Sequence, residues 1–418
     1  ARRMESGASW RVRRFVVVGG GPAGAATAIL LKQAGYDPLL LDRATFPRDK
    51  PCGEYSSPQT ITILRRLGVA EAVEALPPHR LYGMRVYAPN GTHYTVDYHA
   101  VTGEHSALSI PRLTLDNIIL DGAKRQGVEV REGARVKAVG PYEDGGRTVT
   151  VQTKAGETSI RARLVIGADG HHSVVAKSAG LHAARWQHRW PHRVGIMAHY
   201  AGVTTLDRYG AMVVGPRGFY GYSGIAPLGG GLTNVAFVVD MRAMKRRGMP
   251  MEQFFQQCIE ALPPVREALV GARRVSKIHG VGPLAQGARR AVADGVLLVG
   301  DAAIYLDPFT GEGVYKALRG AELACEAADR ALRAGRTDAT MLRPYLAARR
   351  RAFVEKTLAN YLVQMFVHVP VLMDYVTPRL GSRPALARQL VLVLGDLGTK
   401  REQRRLLSPA YLWNLLRP

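Results

Sequence analysis

Three closely spaced glycines are the first residues of this chain whose spacing indicates chemistry. Gly19, Gly21 and Gly24 follow the β-rich run 14–18 and precede the helix-forming run 25–33. In this pattern the first glycine permits a sharp turn, the second lets the backbone approach a pyrophosphate, and the third lets the helix pack on the strand. The free N–H groups of the helix N-terminus attract phosphate. The pattern therefore predicts a dinucleotide-binding turn.

An acidic residue follows this turn at a distance that suits the same ligand. Asp42 lies 18 residues after Gly24, directly behind the apolar run 38–41. A carboxylate at that position accepts hydrogen bonds from both hydroxyls of an adenosine ribose. Strand, glycine turn, helix, strand and acid together predict one βαβ unit. A glycine-rich loop without a ligand is the alternative, and the motif alone does not separate FAD from NAD.

Two more strand-to-glycine turns occur far along the chain. Gly167-Ala-Asp169-Gly170 follows the strand-like run 163–166, and Gly300-Asp301 follows the apolar run 296–299. Each pair taken singly also suits an ordinary turn after a strand. Three such turns at distant points predict one cofactor domain built from separate segments, with a β-rich domain inserted between them.

Together, the three motifs resemble the fingerprints of an FAD-dependent oxidoreductase superfamily. This superfamily includes class A flavin monooxygenases, geranylgeranyl reductases and flavin-dependent halogenases. The resemblance implies an α/β fold: a Rossmann-like FAD-binding domain of glutathione-reductase type, an inserted antiparallel β-sheet substrate domain, and a helical C-terminal region. The expected bounds are 12–80, 106–185 and 286–340 for the FAD-binding domain, 81–105 and 186–285 for the substrate domain, and 341–418 for the helical region.

The same resemblance implies a role for each turn. Asp301 would hydrogen-bond the ribityl chain, and the backbone of Gly311 and Gly313 would face the flavin pyrimidine at a helix N-terminus, where negative charge on a reduced flavin is stabilised. Asp169 and Gly170 would border the pyrophosphate and help NAD(P)H, the expected reductant, to dock.

Two residues outside the turns also match cofactor contacts of the superfamily. Arg112 matches an arginine that contacts the cofactor, and Val136 matches a residue whose backbone meets adenine. The FAD-binding residues predicted in this way are Gly19, Gly21, Pro22, Ala23, Gly24, Asp42, Arg43, Cys52, Gly53, Arg112, Val136, Asp169, Gly170, Gly300, Asp301, Gly311 and Gly313.

Two further stretches resemble one branch of the superfamily most. The segments 46–54 and 307–313 are most similar to the geranylgeranyl-reductase-like branch. Isoprenoid reductases typically carry Tyr-x-Trp-x-Phe-Pro over the substrate, and halogenases carry Trp-x-Trp-x-Ile-Pro. The corresponding stretch here is Tyr222-Ser-Gly-Ile-Ala-Pro227, which keeps the tyrosine and the proline but lacks the bulky rings. This departure weakens the case for prenyl reduction and weakens that for halogenation further.

The reaction therefore stays open among several flavin chemistries. A pocket widened at Gly224 and Ala226 favours an NAD(P)H-fuelled monooxygenase of secondary metabolism. It would hydroxylate a hydrophobic aromatic or polyketide-like small molecule through a flavin hydroperoxide. The alternative is a geranylgeranyl-reductase-like enzyme acting on carbon–carbon double bonds of a prenyl lipid; a halogenase and a basic surface-binding flavoprotein rank below it. No catalytic acid or base is predicted. The residues expected at the substrate pocket are Tyr55, Tyr222, Gly224, Pro227, Pro308 and Phe309.

The charge balance bears on possible partners. Lysine and arginine total 57 against 34 acidic residues, a formal charge of +23, and such a surplus favours anionic partners. Nucleic-acid binding is not expected, because no recognisable module is present and aromatic residues make up only 7%. The apolar runs 361–376 and 390–394, flanked by arginines, predict core helices, with peripheral contact to an anionic membrane as the alternative.

Cysteine and histidine usage indicates the compartment and argues against a metal site. Three scattered cysteines are too few for a disulfide framework, which favours a reducing, cytoplasmic location, with peripheral membrane contact as a variant. His182, His188 and His192 alternate with arginines at spacings that suit no zinc loop, so no metal is expected. Residues 182–193 are predicted to form an exposed basic loop, and the oligomeric state is left open.

Overall fold

The computed structural model describes residues 13–77, 80–102, 106–182, 192–219, 221–284, 286–305, 308–395 and 397–417. The strands of the first half are β1 Arg13–Val18, β2 Leu39–Leu41, β3 Tyr55–Ser56, β4 Arg80–Leu81, β5 Gly83–Tyr87, β6 His93–Asp97, β7 Ala107–Ser109, β8 Glu129–Arg131, β9 Arg135–Glu143, β10 Gly146–Thr153 and β11 Gly156–Gly167. Those of the second half are β12 Arg193–Ala201, β13 Tyr209–Val214, β14 Gly221–Gly229, β15 Leu232–Asp240, β16 Arg273–Arg274, β17 His279–Val281, β18 Gln286–Gly287, β19 Val292–Ala293, β20 Val296–Leu298 and β21 Ile304–Tyr305.

The helices connect and cover these strands. The helices before residue 300 are α1 Pro22–Gln33, α2 Thr60–Arg66, α3 Ala70–Glu74, α4 Tyr98–Thr102, α5 Arg112–Arg125, α6 Val174–Ser178, α7 Met241–Arg247, α8 Met251–Glu260 and α9 Pro263–Ala268. The helices after it are α10 Gly313–Arg333, α11 Ala339–Leu342, α12 Pro344–His368, α13 Pro370–Ser382, α14 Pro384–Leu394, α15 Lys400–Leu406 and α16 Pro409–Leu416. Short 3-10 turns span Gly300–Ala302 and Pro308–Thr310.

The first sheet has the order β19-β20-β11-β1-β2-β8, with β10 and β9 attached to β11. Its central pairs, β20 with β11, β11 with β1, and β1 with β2, are parallel. The side chains of β1 from Phe15 to Val18 are buried, as expected when helices cover both faces of a parallel sheet. Val18 pairs with Gly167, and Gly167 pairs with Leu298. The three predicted glycine turns therefore leave the sheet side by side.

The second sheet has the order β16-β12-β15-β14-β13-β5-β6, with β17 beside β12. One face packs on α8 and α9 through residues such as Phe237, whose ring meets Phe255 edge-on. The sheet departs from the expected antiparallel pattern at one pair, because β5 runs parallel to β13. β5 comes from a separate, earlier segment of the chain, so no hairpin forces it to run antiparallel.

The C-terminal helices cover the other face of the second sheet. Residues from α12 to α16 share one apolar cluster with side chains of that face, among them Tyr222 and Val238. The predicted apolar stretch 361–376 consists of the end of α12 and the first half of α13, which meet at Val369 and Pro370. In the part of the chain that the structure describes, no helix combines the length and the hydropathy needed to cross a membrane. The layered arrangement leaves one large cavity between the two sheets, bordered by the start of α10.

Candidate functional site

The three glycine turns contact one another directly. A Cβ placed on Gly19 would stand 2.4 Å from the carbonyl oxygen of Ala168, and one placed on Gly300 would stand 2.9 Å from the Cβ of Ala23. Both glycines have positive φ angles, +105° and +56°, a region that side chains rarely adopt. Both positions therefore require glycine, and through them the first turn packs against the second and the third.

The other two predicted glycines of the first turn, Gly24 and Gly21, differ in their surroundings. A Cβ on Gly24 would lie 1.8 Å from the carbonyl oxygen of Gly19, so this glycine lets α1 pack on β1 and does not line the cavity. Gly21 is the N-cap of α1, has an extended backbone, and faces the cavity. Since Gly21 has no side chain to cap the helix, the first N–H groups of α1 are available to a phosphate.

Asp42 ties the first turn to the end of β2. One carboxylate oxygen accepts the N–H of Gly20 at 2.6 Å, and the other accepts the N–H of Ala44 at 2.7 Å. The side chain is buried and borders the cavity. Each oxygen keeps a second lone pair, so the carboxylate can still accept ribose hydroxyls as predicted from its spacing.

One cavity of about 810 Å³ collects almost all of the predicted site residues. Those that line it are Gly19, Gly21, Pro22, Ala23, Asp42, Arg43, Cys52, Gly53, Tyr55, Arg112, Val136, Asp169, Gly170, Tyr222, Gly224, Gly300, Asp301, Pro308, Phe309, Gly311 and Gly313. Pro227 does not line it. Side chains alternate along β14, so Pro227 shares the face of Ile225, which packs towards α8 and α9, whereas Tyr222 and Gly224 face the cavity.

The acidic groups of the second and third turns are both engaged by the protein. Asp169 accepts hydrogen bonds from the Ser173 hydroxyl at 2.6 Å and from the N–H of Val174 at 2.7 Å, which fixes the start of α6. Burial raises the pKa of Asp169. Asp301 forms an ion pair with Lys50, whose Nζ lies 3.0 Å from the carboxylate.

Two basic residues at this end of the cavity were not predicted as site residues. The Arg48 guanidinium stacks on the Phe46 ring at 4.8 Å, lies 3.3 Å from Asp116, and stands beside Gly21. With Lys50 it places two positive charges where a pyrophosphate would lie. The segment 46–54 was recognised as a motif, but a motif does not say which of its side chains turn towards a ligand.

A buried carboxylate near the cavity joins the start of α5 to the second sheet. Glu54 has a positive φ of 57°, and one of its oxygens accepts the N–H of Arg112 at 2.9 Å. The other oxygen lies 2.6 Å from Nε2 of His199 and 2.8 Å from Nδ2 of Asn234, which also donates to the carbonyl oxygen of Cys52. The hydrogen bond that His199 makes to the Glu54 carboxylate raises the pKa of His199. This Glu54 cluster holds the Cys52 loop against β12 and β15.

Arg112 lies beside this loop and is itself tightly held. Its guanidinium makes two hydrogen bonds to Asp116, at 2.7 and 2.8 Å, and contacts the thiol of Cys52. Burial alone would lower the pKa of Arg112, but Asp116 and Cys52 raise it, so the group stays charged. Arg112 thus presents a fixed positive charge to the cavity.

The far end of the cavity is apolar and lined by the second sheet together with Tyr55, Tyr98 and the segment 308–311. Tyr55 donates a hydrogen bond to the hydroxyl of Tyr98 at 2.6 Å, and burial raises the pKa of Tyr98 to about 12 and that of Tyr55 well above its usual value. The rings of Tyr222 and Phe309 meet edge-on at 4.8 Å. Space remains beside Gly224, where an added Cβ would meet only the sulfur of Met212, at 3.7 Å.

A row of buried polar side chains on α12 faces the loop 308–312. Lys356, Asn360 and Gln364 follow at intervals of four residues, so they lie on one face of the helix. Asn360 donates to the Thr310 hydroxyl at 3.1 Å, and Gln364 accepts from the buried Arg193 at 2.5 Å. The pKa of Lys356 is lowered to about 8 by burial, against the opposing influence of Glu312.

The residues present fit FAD. Glycines at the points of closest approach, a free helix N-terminus, four acidic side chains and the basic pair Arg48 and Lys50 line the polar end of the cavity. Gly311 and Gly313 open α10 on the same cavity, and a Cβ on Gly311 would lie 2.2 Å from the ring of Tyr55. No group of three metal-ligating side chains occurs within the described ranges, and His188 lies outside them.

Comparison with known proteins agrees with an FAD site in this cavity. The chain is 30% identical over 323 residues to menaquinone reductase of Mycobacterium tuberculosis, covering 75% of this chain and 76% of that protein. It is 30% identical over 336 residues to digeranylgeranylglycerophospholipid reductase 2 of Methanopyrus kandleri, covering 79% and 80%. The solved structure of a flavin-dependent brominase shares the fold, with a TM-score of 0.80, 20% identity, and coverage of 94% and 98%. Residues 14–360 match the model of the FAD binding domain family, and the chain belongs to this family of FAD-dependent oxidoreductases.

Proposed function

We propose that this protein is an FAD-dependent reductase that saturates a carbon–carbon double bond in an isoprenoid chain carried by a lipid or quinone. The proposal reverses the order of preference derived from the sequence, in which hydroxylation came first. Its main support is the chemical character of the apolar end of the cavity. The reductases among the relatives, whose names specify menaquinone and a geranylgeranyl lipid, are additional support.

The apolar end offers a narrow choice of proton-transfer groups. This end is lined by residues of the second sheet together with Tyr55, Tyr98, Leu284 and the segment 308–311. Among these described residues the titratable side chains are the tyrosines Tyr55, Tyr98 and Tyr222, and the others are apolar or uncharged. Tyrosine hydroxyls are protonated at neutral pH, and burial, which raises the pKa values of Tyr55 and Tyr98, disfavours the anionic form that a base would need. A site of this kind suits an apolar substrate and can donate a proton. It is poorly suited to deprotonating a phenol before hydroxylation.

From this geometry we assign a role in the reaction to each group. FAD held by the three glycine turns would, once reduced, supply the hydride for one carbon of the double bond. The hydroxyl pair of Tyr55 and Tyr98 holds the proton that the other carbon takes up. Tyr222 and Phe309 orient the chain and exclude water. The flavin is oxidised in the process, so NAD(P)H or a separate reductase must reduce it again.

Hydroxylation of an aromatic molecule is the second candidate, and one observation favours it. The open space beside Gly224 suits a ring system wider than a prenyl chain. In that reaction NAD(P)H and oxygen would both be consumed, and the substrate would gain one oxygen atom.

Anaerobic turnover separates the two candidates. The flavin-loaded protein is reduced without oxygen and incubated with a geranylgeranyl lipid or a menaquinone, and the product mass is measured. We expect a gain of two hydrogen atoms per double bond, and a Tyr55→Phe variant should retain its flavin but react more slowly. A product that forms only in air and contains one added oxygen atom would refute the reductase proposal in favour of hydroxylation.

A further inference from the structure

The outer surface of the C-terminal helices carries an unusual set of exposed apolar side chains. Six large hydrophobic residues of the described chain are exposed there, while those exposed elsewhere, such as Val270 and Val275, are scattered. Trp413 is the most exposed of the six, at 70%. We call the set the C-terminal apolar face; it consists of Leu358, Met365, Val369, Val371, Trp413 and Leu416.

The members of this face lie on neighbouring elements. Met365 and Val369 are one turn apart on α12, and Val371 opens α13 two residues later. Tyr375, one turn beyond Val371, donates a hydrogen bond to the carbonyl oxygen of Leu416 on α16 at 2.7 Å. The face therefore runs along the end of α12, across α13 and onto α16.

Helix α12 exposes large apolar side chains over this stretch and buries several polar ones among its apolar core residues. Its buried face carries Lys356, Asn360 and Gln364, whereas Leu358 and Met365 on the other side are exposed. A helix on a water-covered surface normally shows the opposite pattern. Contiguous exposed apolar surface rimmed by polar residues marks contact with another protein or a membrane.

The surrounding charge identifies which of these occupants suits the face. Residues 341–418 contain 13 lysines and arginines but only four acidic residues. Arg417 adjoins Leu416, while Arg350 and Arg351 lie two turns before Leu358, and all three are exposed. A second copy of the chain would bring an equally positive surface against this one, whereas anionic lipid headgroups would neutralise it.

We infer that the C-terminal apolar face docks on an anionic lipid bilayer, with Trp413 and its apolar neighbours in the headgroup boundary and the arginines on the phosphates. The inner surfaces of the same helices pack against side chains that line the apolar end of the cavity, such as Tyr222 and Phe309. A protein held in this way would keep that end of its cavity close to membrane-dissolved substrates. The inference does not depend on the reaction, because docking is measured by binding alone.

Vesicle binding tests the inference. The flavin-loaded protein is sedimented with vesicles of phosphatidylcholine alone or mixed with phosphatidylglycerol. We expect binding to the anionic vesicles to be at least about tenfold tighter than to the neutral ones. The fluorescence of the protein should shift to shorter wavelength on binding, and that shift should be lost in Trp413→Phe. A Leu358→Ser/Trp413→Ser variant should bind at least about tenfold more weakly, because two buried anchors are removed.

A matched control keeps the test specific. Val270→Ser removes an apolar side chain that is 77% exposed but lies outside the face, and it should bind as the unmodified protein does. Unchanged binding of the double variant would mean that charge alone attracts the protein, and would overturn the inference. So would an absence of vesicle binding, or a dimer in solution that the double variant abolishes.

Discussion

The carboxylate of Glu54 lies 2.6 Å from Nε2 of His199, although 145 residues separate them in the chain. Glu54 belongs to the loop that carries Cys52 to the cavity wall, and His199 belongs to the second sheet. Asn234 completes the link by donating to the same carboxylate and to the Cys52 carbonyl oxygen. The Glu54 cluster therefore sets the position of the cofactor loop relative to the substrate sheet.

This ion pair should make stability depend on pH. The pKa of His199 is raised above its ordinary 6.5 by Glu54, so its contribution is complete below pH 6.5 and is lost as the pH rises through the raised value. As the pH rises through that value, the free energy of unfolding of the unmodified protein should fall by about 1–2 kcal/mol more than that of His199→Gln. Urea denaturation at a series of pH values measures it. Glu54→Gln should remove the same dependence; its persistence there would contradict the assignment.

Gly21→Val should separate flavin binding from folding. The backbone at Gly21 is extended, and an added Cβ would meet only the mobile end of Arg48, at 3.3 Å, so the variant should fold. Its side chain would occupy the space for a pyrophosphate, and the flavin-to-protein absorbance ratio should fall about tenfold or more. A fully yellow Gly21→Val protein would show that the pyrophosphate lies elsewhere.

Gly300→Ala should in contrast lower both stability and flavin content. Alanine at φ +56° is strained and would press on the Cβ of Ala23 at 2.9 Å, at a cost of about 1–3 kcal/mol. Thermal unfolding of the flavin-free protein measures this cost. Gly381→Ala is the control, because its added Cβ would meet nothing within 4 Å and its φ is not positive.

Gly224→Leu should narrow the substrate pocket and leave the flavin in place. The new side chain would extend towards Met212 into the apolar end of the cavity. We expect kcat/KM to fall about tenfold to a hundredfold for bulky substrates, a loss of about 1.4–3 kcal/mol in transition-state binding. Pro227→Ala, on the opposite face of β14, should leave kcat/KM unchanged. Equal losses in both variants would place the substrate elsewhere.

Lys356 should destabilise the fold below alkaline pH. Burial lowers its pKa from the ordinary 10.5 to about 8, so the unfolded chain binds more protons between those values, and the free energy of unfolding rises with pH across that window. In Lys356→Met the free energy of unfolding should rise by up to about 3 kcal/mol less over this pH range, as expected for a pKa shift of that size. Denaturation between pH 7 and about 10.5 tests it. An unchanged slope in Lys356→Met would assign the rise to another group.

The cofactor cradle could be predicted from the sequence because its signals are local. A buried strand, a glycine turn and a helix occupy consecutive residues, and the same signature at Gly167 and Gly300 indicates where the other turns of the cradle lie. Parallel strands end at one edge of a sheet, so these turns had to meet there. In the folded chain Val18 pairs with Gly167 and Gly167 pairs with Leu298, so the three strands do end side by side at one edge of the sheet.

Only the folded chain shows the Glu54 cluster, the polar row on α12 and the position of Pro227 on the face of β14 that points away from the cavity. Local patterns indicate which residue types favour burial, but not which distant group will satisfy a buried charge. Lys356, Asn360 and Gln364 break the rule that polar residues face water, because their partners come from other parts of the chain. The spacing of the turns thus determined that a dinucleotide binds, and their resemblance to a flavoprotein superfamily indicated FAD, whereas long-range packing decided how the cavity is held and what its far end can accept.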